Sequence, residues 1–181
     1  MKARVLFATG YEEVEALTVV DLLRRAGVEC LMVSADDQDT VTGARGMEVA
    51  MDEKISEIND RCDLVVLPGG IPGVPNLKAN PKVQAMVKAQ NDRGGYVAAI
   101  CAGPTALGAF GVLADKNATC YPGCEDQLMA KSHSTEPVVV DGNVITSRGV
   151  GTAIEFALKL VEILIDRQTA DDLAEKIVYK R

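Results

Sequence analysis

Cys101 lies between two different kinds of sequence. Before it, Tyr96-Val97-Ala98-Ala99-Ile100 is a continuous apolar run; after it, Ala102-Gly103-Pro104-Thr105-Ala106-Leu107 reads as a helix start. A short run of that kind reads as a buried strand. A cysteine at the strand-to-helix turn takes the strained apex of a nucleophile elbow, where small neighbours permit close approach. Unpaired N–H groups and the positive dipole end of the helix favour thiolate over thiol, so Cys101 is predicted to be the reactive nucleophile. The plain alternative is a small buried hydrophobe, which most single cysteines are. Placement at a strand end, with Gly103 two residues on, weighs against it.

Glu15 is the candidate acidic partner. It lies in Val14-Glu15-Ala16-Leu17-Thr18-Val19-Val20-Asp21-Leu22-Leu23, a segment apolar on nearly every side. Such a helix is broadly buried, and a buried carboxyl shifts upward and holds its proton. A neutral carboxyl beside sulfur can donate a hydrogen bond and later exchange protons with a substrate. A solvated helix-face glutamate is the bland alternative. Gly69 and Gly70 follow the apolar run Asp63-Leu64-Val65-Val66-Leu67. They could aim N–H groups at a developing oxyanion, with the Ala102 N–H as second donor, although glycine pairs also make plain tight turns. Neither this loop nor Gly149-Val150-Gly151 carries the endings of a phosphate-binding or dinucleotide-binding loop.

These residues need a scaffold that brings them together. Strand-like runs at Arg4–Ala8, Cys30–Ser34, Asp63–Leu67 and Tyr96–Ile100 alternate with helical segments. Thr9 and Glu12 match the capping pattern that opens a helix running to about Arg25. The region 36–52 reads as small antiparallel strands. Asn80-Pro81 opens a helix to about Arg93, and a further helix from the Cys101 turn ends near Gly111. Val138–Thr146 is a hairpin around Asp141-Gly142-Asn143. Thr152 and Glu155 match a second capping box, and Thr169 with Asp172 suggests a short terminal helix. The alternation implies one α/β domain over 1–181, a mostly parallel sheet with helices on both faces. Ligands bind beyond the carboxyl ends of such strands. The turn after the first strand, Pro68-Gly69-Gly70 and Cys101-Ala102 therefore converge on one crevice.

Composition narrows the function classes. The 181 residues carry 19 Lys plus Arg against 26 Asp plus Glu, a net charge of −7. That disfavours nucleic acid and anionic membranes as partners. No apolar run approaches the about 20 residues of a membrane helix. The first apolar segment breaks at Thr9-Gly10, too soon for a secretory leader, so a cytoplasmic protein is expected. Five cysteines, at 30, 62, 101, 120 and 124, form no disulfide framework. Cys120, Cys124 and His133 match no strong metal-binding spacing, and no metal is expected.

Taken together, Leu67-Pro68-Gly69-Gly70, Ala98-Ala99-Ile100-Cys101-Ala102-Gly103-Pro104-Thr105-Ala106-Leu107 and Thr146-Ser147-Arg148-Gly149 resemble the ThiJ/PfpI superfamily, in the branch of the Parkinson-disease protein DJ-one. Glu12-Glu13-Val14-Glu15 resembles that branch's acidic first-helix motif, and the likeness spans essentially the whole chain. It implies a flavodoxin-like fold, a homodimer, Cys101 as reactive thiol with Glu15 as hydrogen-bond partner, and an oxyanion site from Gly70 and Ala102. Many members carry a histidine where this chain has Tyr121-Pro122. The sole histidine, His133, lies about a dozen residues further on and reads as a surface loop residue, so a cysteine–histidine peptidase dyad is not supported. Tyr121 and Arg148 are candidate pocket residues, Tyr121 as a hydrogen-bonding group and a poor base. The family's Gly-Pro-Gly-Thr segment appears as Gly149-Val150-Gly151-Thr152, at the rim where a second subunit is expected.

The resemblance implies a cofactor-independent glyoxalase or deglycase acting on reactive 2-oxoaldehydes such as methylglyoxal or their protein adducts. The alternative is a redox-sensing, stress-protective or chaperone-like protein that uses oxidation of the same cysteine, with Cys124 as a resolving thiol. A binding module with an inert thiol is the third reading.

Overall fold

The computed structural model describes residues 1–180. Its strands are β1 Lys2–Phe7, β2 Glu29–Ser34, β3 Thr40–Thr42, β4 Glu48–Ala50, β5 Glu53–Lys54, β6 Leu64–Leu67, β7 Tyr96–Ile100, β8 Asn117–Ala118, β9 Ser132–His133, β10 Val138–Asp141 and β11 Val144–Ser147. The helices are α1 Glu13–Arg25, α2 Gly73–Ala79, α3 Pro81–Asp92, α4 Pro104–Ala109, α5 Ala153–Leu164 and α6 Arg167–Lys176.

Seven strands form the main sheet in the order β10-β11-β7-β6-β1-β2-β5, parallel except for the β10–β11 hairpin. Side chains alternate across a strand, and both faces of this sheet are apolar. Ala3, Val5, Phe7, Val66 and Ala98 face α1, α5 and α6. Leu6, Val65, Leu67, Val97 and Ala99 face the opposite core with Val74, Val83, Val87 and Leu107 of α2, α3 and α4. This flavodoxin-like arrangement is the one expected from the alternating pattern.

Several local expectations need correction. Thr9 does not cap α1. Its N–H and hydroxyl both donate to Asp36, at 2.7 and 2.8 Å, and the helix opens at Glu13, with Glu12 at the cap position and no side-chain cap. Thr152 does not cap α5 with Glu155 either. Its Oγ1 lies 2.7 Å from Ser147 Oγ and accepts from the Gly149 N–H at 3.1 Å, so the hydroxyl is spent on the preceding turn. α2, Gly73–Ala79, has no counterpart among the elements expected from the sequence. Asn80, by contrast, caps α3 as expected, accepting from the Lys82 N–H at 2.9 Å. The terminal helix α6 opens earlier than Thr169, at a cap where Asp166 accepts from the Thr169 N–H at 2.7 Å.

The 36–52 segment does contain an antiparallel pair, β3 with β4. Its turn folds over the start of α1: Gly10 N–H donates to Thr42, Ala44 N–H to Tyr11, and Arg45 N–H to the Glu13 carboxylate. This brings Arg45 to the carboxyl ends of the strands.

Candidate active site

β1 lies between β6 and β2, so successive connections leave it in opposite directions and open a crevice at the carboxyl end of the sheet. The chain fills the walls of that crevice from three strand ends. Cys101 follows β7 with φ +66°, a left-handed backbone that a non-glycine residue enters at a cost of about 1–2 kcal/mol. Two bonds hold it there. Its N–H donates to the Ser147 carbonyl at 3.0 Å, and its carbonyl accepts from the Tyr121 N–H at 2.8 Å. The elbow expected from the sequence is therefore present and braced from both sides.

Glu15, from the first turn of α1, is fully buried. Its Oε2 accepts from the Gly69 N–H at 2.9 Å, while Oε1 has no hydrogen-bond partner. Gly69 is where sulfur and carboxyl approach one another. A Cβ there would lie 2.6 Å from Cys101 Cβ, 2.6 Å from Glu15 Oε2 and 2.9 Å from Cys101 Sγ. Gly70, at φ +98°, carries the loop back past Gly10 and Tyr11 with no room for a side chain.

Burial pushes the Glu15 carboxyl up to about 7, against the opposing pull of hydrogen bonds from Cys101 and the Gly69 N–H. Cys101 also moves upward. Burial is the largest cause, followed by the charge of the Glu15 carboxylate and the hydrogen bond between the two groups; the Ala102 N–H pulls the other way. The sequence reading expected a thiol depressed toward neutrality, and the structure reverses the direction. The helix-start amides are already used: Gly103 N–H bonds to Ile100, Thr105 N–H bonds to Ala102, and Pro104 has none. The regular helix begins only at Pro104, and dipole effects fade within one turn.

All six residues singled out from sequence line one cavity of about 690 Å³: Cys101, Glu15, Gly70, Ala102, Tyr121 and Arg148. Tyr121 is half exposed at its rim, and the Arg148 guanidinium donates to the Thr135 carbonyl at 3.2 Å. Cys124 lines the same cavity. Sequence reasoning missed Glu12 and Arg45, which also line it and pair across its mouth at 3.9 Å. No local motif marks Arg45. Only the folding of the β3–β4 turn over α1 brings it there.

The arrangement pairs a thiol on a strained turn with a buried carboxyl whose second oxygen is unengaged, inside a cavity that Arg45 and Arg148 also line. The DJ-1/PfpI family model matches residues 1–163. The chain is 39% identical to the Parkinson disease protein 7 homolog of Danio rerio, over 99% of this chain and 97% of that protein. It is 34% identical to the glutathione-independent glyoxalase DJR-1.2 of Caenorhabditis elegans, over 92% of this chain and 89% of that one. The oxidized form of Toxoplasma gondii DJ-1 superposes with a TM-score of 0.96 at 37% identity, covering 99% of both chains. Sequence motif, sheet order and full-length likeness agree, and the chain belongs to the DJ-1/PfpI family.

Proposed function

We propose that this protein is a cysteine-dependent, cofactor-independent glyoxalase or deglycase that converts 2-oxoaldehydes such as methylglyoxal, free or as protein adducts, to 2-hydroxy acids. The observation that carries this reading is the apposition of the Cys101 elbow and the buried Glu15 carboxyl across Gly69, in one cavity. A relative named as a glutathione-independent glyoxalase supports it.

The raised thiol and the Glu15 carboxyl near neutrality assign the first proton transfer. Glu15, ionised at and above about pH 7, accepts the thiol proton as sulfur attacks the aldehyde carbon. Glu15 passes that proton to the aldehyde oxygen, completing the hemithioacetal and restoring the carboxylate, with the Gly70 and Ala102 N–H groups as donors for the developing charge. The Glu15 carboxylate then removes the proton from the former aldehyde carbon and returns it to the neighbouring carbon, while the hemithioacetal hydroxyl proton passes to the neighbouring carbonyl oxygen, leaving a 2-hydroxy thioester. Water cleaves the thioester, releasing the hydroxy acid and restoring the thiol. The net change is addition of one water to the oxoaldehyde, with no external oxidant or reductant. Arg45 and Arg148 at the cavity favour the carboxylate product electrostatically.

The same site suits a second reading, a redox-sensing and stress-protective protein. Cys101 and Cys124 line one cavity, which favours peroxide oxidation of Cys101 with Cys124 as resolving thiol. The two readings separate in one experiment. Purified protein is expected to form lactate from methylglyoxal, and Cys101→Ala and Glu15→Ala are each expected to abolish it. Full activity in the cysteine variant overturns the enzymatic reading. Addition of two oxygens at Cys101 after mild peroxide, without aldehyde turnover, supports the redox reading instead. A homodimer fits the exposed Val14, Val150 and Ile154, of which Val150 lines the cavity, and a reducing cytoplasm fits five free thiols.

A further inference from the structure

The segment 119–134 runs along the outer wall of the active-site cavity, and its two sides differ. Tyr121 and Cys124 face the cavity. Outside the cavity lining, the Cys120 sulfur, a Glu125 carboxylate oxygen and a His133 ring nitrogen all lie within 4.8 Å of one another. Separate elements deliver the three. Cys120 follows β8, which pairs in parallel with β9 so that Ala118 stands opposite His133. The Ser134 N–H donates to the Ala118 carbonyl at 2.9 Å and fixes that register. Glu125 begins a short 3₁₀ turn, and its carboxylate accepts from the Gly123 N–H at 2.7 Å.

We propose that Cys120, Glu125 and His133 form a three-ligand site for a zinc-class divalent cation, separate from the Cys101 chemistry. Sulfur, imidazole and carboxylate suit a borderline-soft d¹⁰ ion, and the sulfur selects against magnesium and calcium. Zinc bonds of about 2.0–2.3 Å place tetrahedral ligand atoms about 3.3–3.8 Å apart. The observed spread therefore closes with roughly an ångström of side-chain adjustment, available to the exposed His133 and partly exposed Glu125. Cys120 is fully buried and supplies the fixed point. Binding replaces the S–H bond by a sulfur–metal bond and releases that proton to solvent. Water or an outside donor fills the fourth position. Arg148 is the opposing feature: its guanidinium acts on both Cys120 and Glu125. Thiolate and carboxylate outweigh it by one negative charge, so a dication is still attracted. The pairing could not be read from spacing, where Cys124 looks like the natural companion of Cys120; the structure turns Cys124 into the catalytic cavity instead.

The test is cobalt titration of the full-length, metal-stripped protein under reducing conditions, read as the thiolate-to-cobalt charge-transfer band and displaced by zinc. One equivalent is expected to bind in wild type. Cys101→Ala and Cys124→Ala are expected to keep the band, which excludes the catalytic-site thiols as its source. His133→Ala, a surface change that leaves folding intact, and Cys120→Ser are each expected to lose it and to lower zinc affinity by more than about tenfold. No band in wild type, its loss in Cys101→Ala or Cys124→Ala, or its survival in His133→Ala overturns the site.

Discussion

Glu15 Oε2 accepts a hydrogen bond of 2.9 Å from the Gly69 N–H, at the one backbone position where a Cβ would strike both the carboxylate and Cys101. The absence of a side chain at 69 therefore sets the distance between nucleophile and base. Gly69→Ala is expected to force them apart and to cost about 1–3 kcal/mol in stability, the usual range for overpacking. Turnover of methylglyoxal should fall far more than stability does. Parallel urea denaturation and lactate assays check this; a stable, fully active alanine variant refutes the spacing role.

Glu15 also makes folding depend on pH. Its carboxyl is raised from an ordinary 4.5 to about 7 by burial. A group raised in the folded state favours its protonated form, so ionisation opposes folding. Stability is complete below the unfolded value and declines as pH climbs from about 4.5 to about 7. Glu15→Gln removes this dependence. The glutamine variant is expected to gain on wild type by up to about 3 kcal/mol between pH 4.5 and 8, measured as the difference in urea unfolding free energy at several pH values.

Cys101 separates strain from chemistry. Replacing the thiol should reduce lactate formation by about 1000-fold or more, as for other nucleophile deletions. Ala and Gly should nevertheless differ in stability, because only glycine adopts φ +66° without penalty. Cys101→Gly is expected to be more stable than Cys101→Ala by about 1 kcal/mol, with both inactive. Equal thermal midpoints for the two variants would contradict the strained elbow.

Much of the site was legible because its signals are local. An apolar run ending at Cys101, a glycine pair after Leu67 and an acid within the apolar stretch of the first helix each carry their meaning within a few residues. Features set by tertiary pairing were not. The strands β5, β8 and β9 have two residues each and exist through their partners. α2 contains Gly73 and Pro75, two residues of poor helix propensity, and forms because Val74 and Leu77 are buried under the sheet. Thr9 and Thr152 matched capping boxes in spacing, but better partners, Asp36 and the Ser147–Gly149 turn, took their hydroxyls. The direction of the Cys101 shift was misread for a related reason. The sequence shows that amides follow the cysteine, and only the fold shows that those of Gly103 and Thr105 are bonded elsewhere, leaving Ala102 alone to act on the sulfur.

A buried cation anchors the far edge of the sheet. Arg4 is fully buried, and its guanidinium donates to Glu53 at 2.8 Å and also to Asp60. Removing Glu53 leaves the buried guanidinium with Asp60 alone, a partner about half exposed to solvent. Glu53→Ala is expected to cost about 1–3 kcal/mol, whereas Arg4→Met, which removes the charge itself, should cost less. Urea unfolding of the two variants checks the order.

The role of Glu15 toward the thiol yields the sharpest test of the site, because two physical pictures give opposite signs. If Glu15 mainly shared a proton that stabilised thiolate, Glu15→Gln would slow alkylation of Cys101 at neutral pH. In the structure the carboxylate instead pushes the thiol upward, by its charge and by holding the thiol proton in a hydrogen bond. Removing that negative charge lowers the thiol, so Glu15→Gln should react several-fold faster with iodoacetamide at pH 8 while losing turnover. Faster alkylation with abolished catalysis separates nucleophilicity from proton transfer and identifies Glu15 as the base. Slower alkylation in the glutamine variant would return the thiolate to Glu15's support and remove the proton-transfer order assigned to the first step.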